Sequence, residues 1–432
     1  MNLKKSITWA VTGLFVFASA LSAEEIKGDK TAGKTNARML AKSGMDNGPS
    51  STFFNINSWK IQMEHQGFFQ WNGTSHGSAG NYPKGMGSVI FAEGILWGVK
   101  ASDKYGVDAT TGEILTDGSG TGLPRVRVNG SMYNTGLKAG KVLRDANGRI
   151  KSTGYSENYR DQQIWRVRKD WNTGDLTVDA SILRDISVSD VTEAMIEADK
   201  AQYEHDWKNW PTDEGAPFHD ADGDGVYTPG TWSAENNAWV GDIPGIPGSD
   251  QTVWTVANDL PDEYAEGGVV SVSEGGWGSP PVGFEMQLTL WGYDFPFSNP
   301  ISSMMFKRAR MIYVGLPGGP ADAKLDTVYF TQWSDPDLGT YTDDYVGCDT
   351  TLSLGYVYNG NTFDDQFLSS FGSPVPAGGY DFLEGPKVDT NGDGVLDTLG
   401  MTSFVYFAAG SSVSDPSTRV YSGTLQWFNL ME

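Results

Sequence analysis

The chain has 432 residues, and its 54 acidic against 31 basic side chains leave a net charge of −23. Such a surface repels nucleic acid and anionic lipid and suits divalent cations. The only Cys, Cys348, excludes an intrachain disulfide, and 54 Gly with 12% aromatic residues favour a mainly β protein rich in turns.

Lys4 and Lys5 precede an apolar run over residues 7–21, and small residues stand at Ala18, Ala20 and Ala23. Residues 1–23 therefore read as a signal peptide, which makes the mature protein secreted or displayed at the cell surface. Residues 24–50 are polar and read as a flexible leader. No later segment has the unbroken apolar length of a transmembrane helix.

Residues 51–215 read as an N-terminal β-rich domain. Residues 59–64 alternate as a half-buried strand does, and residues 89–91 and 95–97 suggest a hairpin turning at Glu93-Gly94. Residues 164–168 alternate again, with Arg166 and Arg168 expected to face solvent or neighbouring acids. One packing helix is expected over about 190–208. Asp190 and Glu193 make a capping-box-like start, Val191, Ala194, Met195 and Ala198 supply the stripe, and Pro211 lies beyond its end.

Residues 216–250 read as a calcium-loop connector, and residues 251–432 as a C-terminal domain of antiparallel β-sandwich type. Strands are expected over 284–290, 305–314, 327–333, 351–358 and 403–408, with Glu285 on the solvent side of the first. The last seven residues read as part of an ordered element, so the domain is expected to be truncated.

Calcium needs six to eight oxygens, which a short loop supplies from carboxylates at positions 1, 3 and 5 and a carbonyl at 7, with Gly at 6 for the turn. In "DADGDGVYTPG" these are Asp220, Asp222, Asp224 and the Val226 carbonyl, with Thr228 at position 9. In "DTNGDGVLD" they are Asp389, Asn391, Asp393 and Val395, with Asp397 at position 9. Position 12 is Thr231 in one and Gly400 in the other, so neither has the bidentate Glu of a switching EF-hand. Glu235 or Asp242 is a candidate to complete the first shell. The repetition of the spacing favours Ca2+ over an ordinary solvated turn. A third acidic stretch carries Asp335, Asp337, Asp343 and Asp344, for which metal binding and a plain exposed turn both stand. Acids around Cys348 disfavour a thiolate there.

Ser75 in "GTSHG" has the spelling of a nucleophile elbow but is followed by a loop rather than a helix. His65, His76, His205 and His219 show no zinc spacing. A pair of glycosidase carboxylates, Glu285 with Asp294 for example, stays open because such pairing is spatial. The aromatic residues read mainly as core, with sugar stacking as the alternative.

The stretches "QWSDPDLG", "DDYVGCDTTLSLGYVYNG" and "GGYDFLEGP", with "PGIPGSDQTVWTVAND" and "GSPPVGFEMQLTLWGYD" before them, resemble a group of uncharacterised secreted proteins of Bacteroidetes-related bacteria. Longer members often carry fibronectin-like domains and a type IX secretion sorting domain, so the resemblance implies surface display and no particular activity. The expectation is an exported calcium-binding protein with a structural or adhesive role, no catalysis and an extracellular partner. The alternative is a polysaccharide-binding or polysaccharide-degrading module.

Overall fold

The computed structural model describes residues 50–69, 78–101, 126–133, 135–144, 163–260, 281–316, 324–408, 414–418 and 420–432, with a few short strands outside these ranges. It is mainly β, 37% strand against 18% helix, and its sheets are antiparallel. The labelled elements are β1 (Ala92–Ala101), β2 (Val126–Gly130), β3 (Trp165–Arg168), α1 (Thr177–Arg184), α2 (Glu193–Lys208), β4 (Gln251–Asn258), β5 (Phe284–Gly292), β6 (Met305–Tyr313) and β7 (Leu325–Asp335). They continue with β8 (Asp344–Asp349), β9 (Leu354–Asn359), α3 (Asp365–Phe371), β10 (Gly378–Asp381) and α4 (Tyr421–Met431). Residues 1–49, which cover the expected signal peptide and nearly all of the expected leader, lie outside the described residues, apart from Ile7–Thr8 and Val11–Gly13, which run antiparallel to β6.

Apolar residues alternate through β5, which pairs with β4 on one side and β6 on the other, and β3 adds to the N-terminal half of β4. A second sheet runs β2, β1, β7. Val253, Met286, Leu288 and Met311 from the first sheet share one core with Ile95, Trp97 and Val99 from the second. Trp97 meets the Phe284 ring edge-on at 5.8 Å, and Phe330 of β7 meets it at 5.6 Å. Burying a large aromatic side chain of this kind contributes about 1.5–3 kcal/mol. The residues expected to form separate domains before and after the 216–250 connector thus share one core. β3 pairs with β4, and β1 pairs with β7, across that connector.

Both sheets are covered on their outer faces as well. Trp427, Phe428 and Met431 of α4 pack on Leu96 and Val128 of the second sheet. A Cβ on Gly98 would stand 2.8 Å from the Met431 sulfur and 3.0 Å from the Phe428 ring, so the glycine gives these two side chains of α4 their room on the strand. Trp207 of α2, with Trp210, covers Trp165 and Trp254 of the first sheet.

Several expectations need correction. The helix begins with Thr192, whose hydroxyl accepts the Met195 amide at 3.4 Å; Asp190 lies in a preceding 3-10 turn. Glu93 and Gly94 form no hairpin turn but lie inside β1, with Phe69 bridged to Glu93 on one side and Asp335 paired to Ala92 on the other. In Lys60–Glu64 the central polar residue, Gln62, is buried while Lys60 and Glu64 stay half-buried, whereas β5 is buried throughout. Glu285 is therefore not solvent-facing: it accepts the Val142 amide at 2.8 Å and a proton from the Gln287 amide at 3.1 Å. Residues 403–408 form no strand, and the last residues form α4.

Candidate metal loops and buried ionisable clusters

The first Asp-rich loop leaves Phe218–His219 and returns through Ile243–Pro244, which pair with one another. Asp220 opens the turn by accepting two amides, Gly223 at 2.7 Å and Gly225 at 2.8 Å. Asp222 accepts the Asp224 amide at 3.1 Å, and Asp224 accepts the Val226 amide at 2.7 Å. Gly223 and Gly225 have φ of 79° and 77°, left-handed values that glycine adopts without a Cβ penalty. Ligand oxygens of Asp220, Asp222 and Asp224 lie within 4.8 Å of one another, the only such acidic or His/Cys group among the described residues. The Gly225 amide, first among its partners, holds the Asp220 carboxyl below the ordinary range.

The second loop repeats this bonding. Asp389 accepts Gly392 and Gly394 at 2.6 and 3.0 Å, Asn391 accepts Asp393 at 3.0 Å, and Asp393 accepts Val395 at 2.7 Å. Gly392 and Gly394 have φ of 81° and 86°. In both loops the side chains of Val226 and Val395 point to solvent, leaving their carbonyls as the useful groups.

Each loop has a carboxylate clip that sequence spacing does not reveal. Asp242, buried at 3%, accepts the Ala221 amide at 2.9 Å and the Thr228 amide at 2.7 Å, and so ties positions 2 and 9 of the first loop. In the second loop Asp397 takes this part, accepting the Thr390 amide and hydroxyl at position 2. Asp242 thus commits both oxygens to the loop backbone, and Glu235 sits exposed at the turn of the Thr231–Ser233 and Ala238–Val240 hairpin. The first loop rests on tryptophans: Tyr227 donates to the Trp207 carbonyl at 2.6 Å, Trp207 donates to Gly230 at 3.3 Å, and Trp239 stands 4.1 Å from Trp207.

The third acidic stretch is taken apart by the fold. Asp335 ends β7 and accepts the Tyr133 hydroxyl at 2.8 Å; Asp344 starts β8 and accepts the Leu338 amide at 2.9 Å. Asp343 receives the Asn361 amide, and the four carboxylates form no convergent group. Burial pushes the Asp337 carboxyl up to about 6 and that of Asp344 up to about 8. Burial and then Asp349 push the Cys348 thiol up, as its acidic surroundings led one to expect.

Two ionic clusters involve partners that the sequence did not name. Of the two expectations for Arg166, solvent or a neighbouring acid, the second holds: it is buried and pairs with Asp179 of α1, which also accepts Asn55 and the Tyr203 hydroxyl, both at 2.8 Å. Arg168 pairs with Asp170 at 2.7 Å. Between the sheets, Lys307 pairs with Glu93 and donates to Gln332 at 2.9 Å, while the Tyr380 hydroxyl donates to the other Glu93 oxygen. Gln332, Ser334 and Tyr380 also line a largely apolar cavity of about 220 Å3 walled by Phe330, Phe404 and Trp427. Ser75 and His76 lie outside the described residues. Comparison with protein-family models, with curated proteins and with solved structures gave no match to this chain.

Proposed function

We propose that this is an exported, extracellular or surface-displayed β protein whose Asp-rich loops bind Ca2+ as structural staples. Its role in this reading is structural or adhesive rather than catalytic, with the two facing sheets forming a β-sandwich. The observation that carries the reading is the repeated bonding pattern of the two loops. Two segments 169 residues apart, counting from Asp220 to Asp389, hold their first, third and fifth side chains by the same set of amides. A solvated turn does not require that repetition, whereas a hard cation requires oxygens fixed at these positions. With one cysteine and no disulfide, metal-closed loops are a physical substitute for a covalent staple.

Calorimetric titration of the chelator-treated protein with CaCl2 tests the reading. Two sites are expected, one lost in an Asp220→Ala/Asp224→Ala variant and the other in Asp389→Ala/Asp393→Ala. Absence of calcium heat together with a melting temperature indifferent to chelator overturns it.

A further inference from the structure

The sheet formed by β8, β9 and β10 turns one face inward, where Val357 and Tyr380 join the core. On its other face stand Tyr345, Tyr356 and Tyr358, which are 57%, 38% and 46% exposed. Tyr345 is the direct cross-strand partner of Tyr358, and Tyr356 lies two residues from Tyr358 on the same strand, so all three project to one side. We propose that this tyrosine strip is a binding platform for a neutral polysaccharide.

The glycines around the strip shape it. Tyr356 has Gly347 as its partner on β8 and Gly379 as its partner on β10, so its row carries no other side chain. A Cβ added at Gly347 would overlap the Tyr356 ring, and one at Gly360 would overlap the Tyr345 ring. Both rings therefore lie against backbone instead of standing off the sheet. Neighbouring rings are inclined by only 25° and 34°, with centroids 6.0 and 6.2 Å apart. A strip of exposed aromatic rings with moderate mutual tilts and a spacing of about one sugar ring suits pyranoses, which present a C–H face to the π-system and hydroxyls to its edges. Each Tyr supplies the apolar body and a hydrogen-bonding tip.

Charge selects among polymers. The three strands contain no Lys or Arg, Asp343 and Asp349 flank the strip, and the whole chain carries −23. Acidic glycans and nucleic acids are therefore repelled, and a neutral glycan is the occupant that remains. The inference uses different residues from the Asp loops and does not depend on calcium there.

The test is calorimetric titration of the full chain with cellohexaose, mannohexaose and chitohexaose, and with polygalacturonate as the acidic comparison. At least one neutral hexasaccharide is expected to bind, and Tyr356→Ala/Tyr358→Ala is expected to weaken it by about tenfold or more with an unchanged melting temperature. Gly347→Ala is expected to weaken it too, because the new methyl lifts the Tyr356 ring without removing an aromatic. No binding of any neutral hexasaccharide at millimolar concentration, tighter binding of polygalacturonate, or binding untouched by all three substitutions overturns the proposal. So does a concentration-dependent dimer that Tyr358→Ser disperses, since a second copy would then own the face.

Discussion

Lys307 and Glu93 form an ion pair between two sheets, 214 residues apart in sequence, with their side chains 4% and 0% exposed. Burial lowers the lysine's pKa and raises the glutamate's, and each charge offsets the other's shift. Breaking such a pair leaves one charge stranded, whereas removing both leaves an ordinary core. Lys307→Met is thus expected to cost about 3–5 kcal/mol in urea unfolding. Adding Glu93→Gln should restore a large part of the loss, because Gln still accepts the Tyr380 hydroxyl. A double variant no better than the single would refute a buried pair.

Asp179 should govern acid stability. Burial raises its pKa, but Arg166 and Arg168 override burial and hold it at about 2. Its folded value lies below its unfolded one, so its contribution is present above about pH 4 and lost as pH falls toward 2. Asp179→Asn should flatten the stability profile over that window, read by urea midpoints at pH 2, 3, 4 and 6. A profile of unchanged slope counts against the assignment.

Asp344 acts in the opposite sense. Its folded pKa of about 8 is raised, first by burial and then by Asp337, so its contribution is present at acid pH and lost as pH rises through 8. Each pH unit crossed is worth up to about 1.4 kcal/mol. Asp344→Asn is expected to raise the melting temperature at pH 8 and leave it unchanged at pH 4. Equal effects at both values would rule out titration as the cause.

Calcium at the first loop should be visible in tryptophan emission, because Tyr227 and Gly230 connect that loop to Trp207 and Trp239. Titration with CaCl2 is expected to shift emission in the parent and in Asp389→Ala, but not in Asp220→Ala. Asp242→Asn keeps an acceptor for only one of the two amides and should weaken binding at this loop by about tenfold, the equivalent of about 1.4 kcal/mol. A calcium-dependent shift that survives Asp220→Ala points to another site.

Local patterns were legible in the sequence where physics is local. The Asp-Gly spacing located both loops, the stripe ending before Pro211 located α2, alternation located β5, and the runs between Gly, Pro and Asp clusters located β6 and β7. Glu93-Gly94 misled because Gly favours turns; what keeps the two in a strand is pairing with Phe69, Ser334 and Trp333 and a lysine on β6. Glu285 misled because alternation reports one buried face and is silent about cover on the other. Here Val142 and the Glu214 carbonyl, which accepts Gln287 at 2.8 Å, supply that cover. The tyrosine strip was hidden for the same reason: Tyr345 and Tyr356 read like core residues until the register shows which side Val357 occupies.

The pairing of β1 with β7 has a kinetic consequence. Ten partner pairs join Ala92–Ala101 to residues beyond 324, so the central strand of the second sheet gains its neighbour only after more than 220 further residues have been made. Closing so long a loop precedes the contacts that reward it, which makes for slow folding dominated by high contact order. A nascent chain stopped before residue 325 therefore holds Trp97 and Val99 with half their sheet missing. The first sheet can close by residue 313, whereas the second waits for the last quarter of the polypeptide.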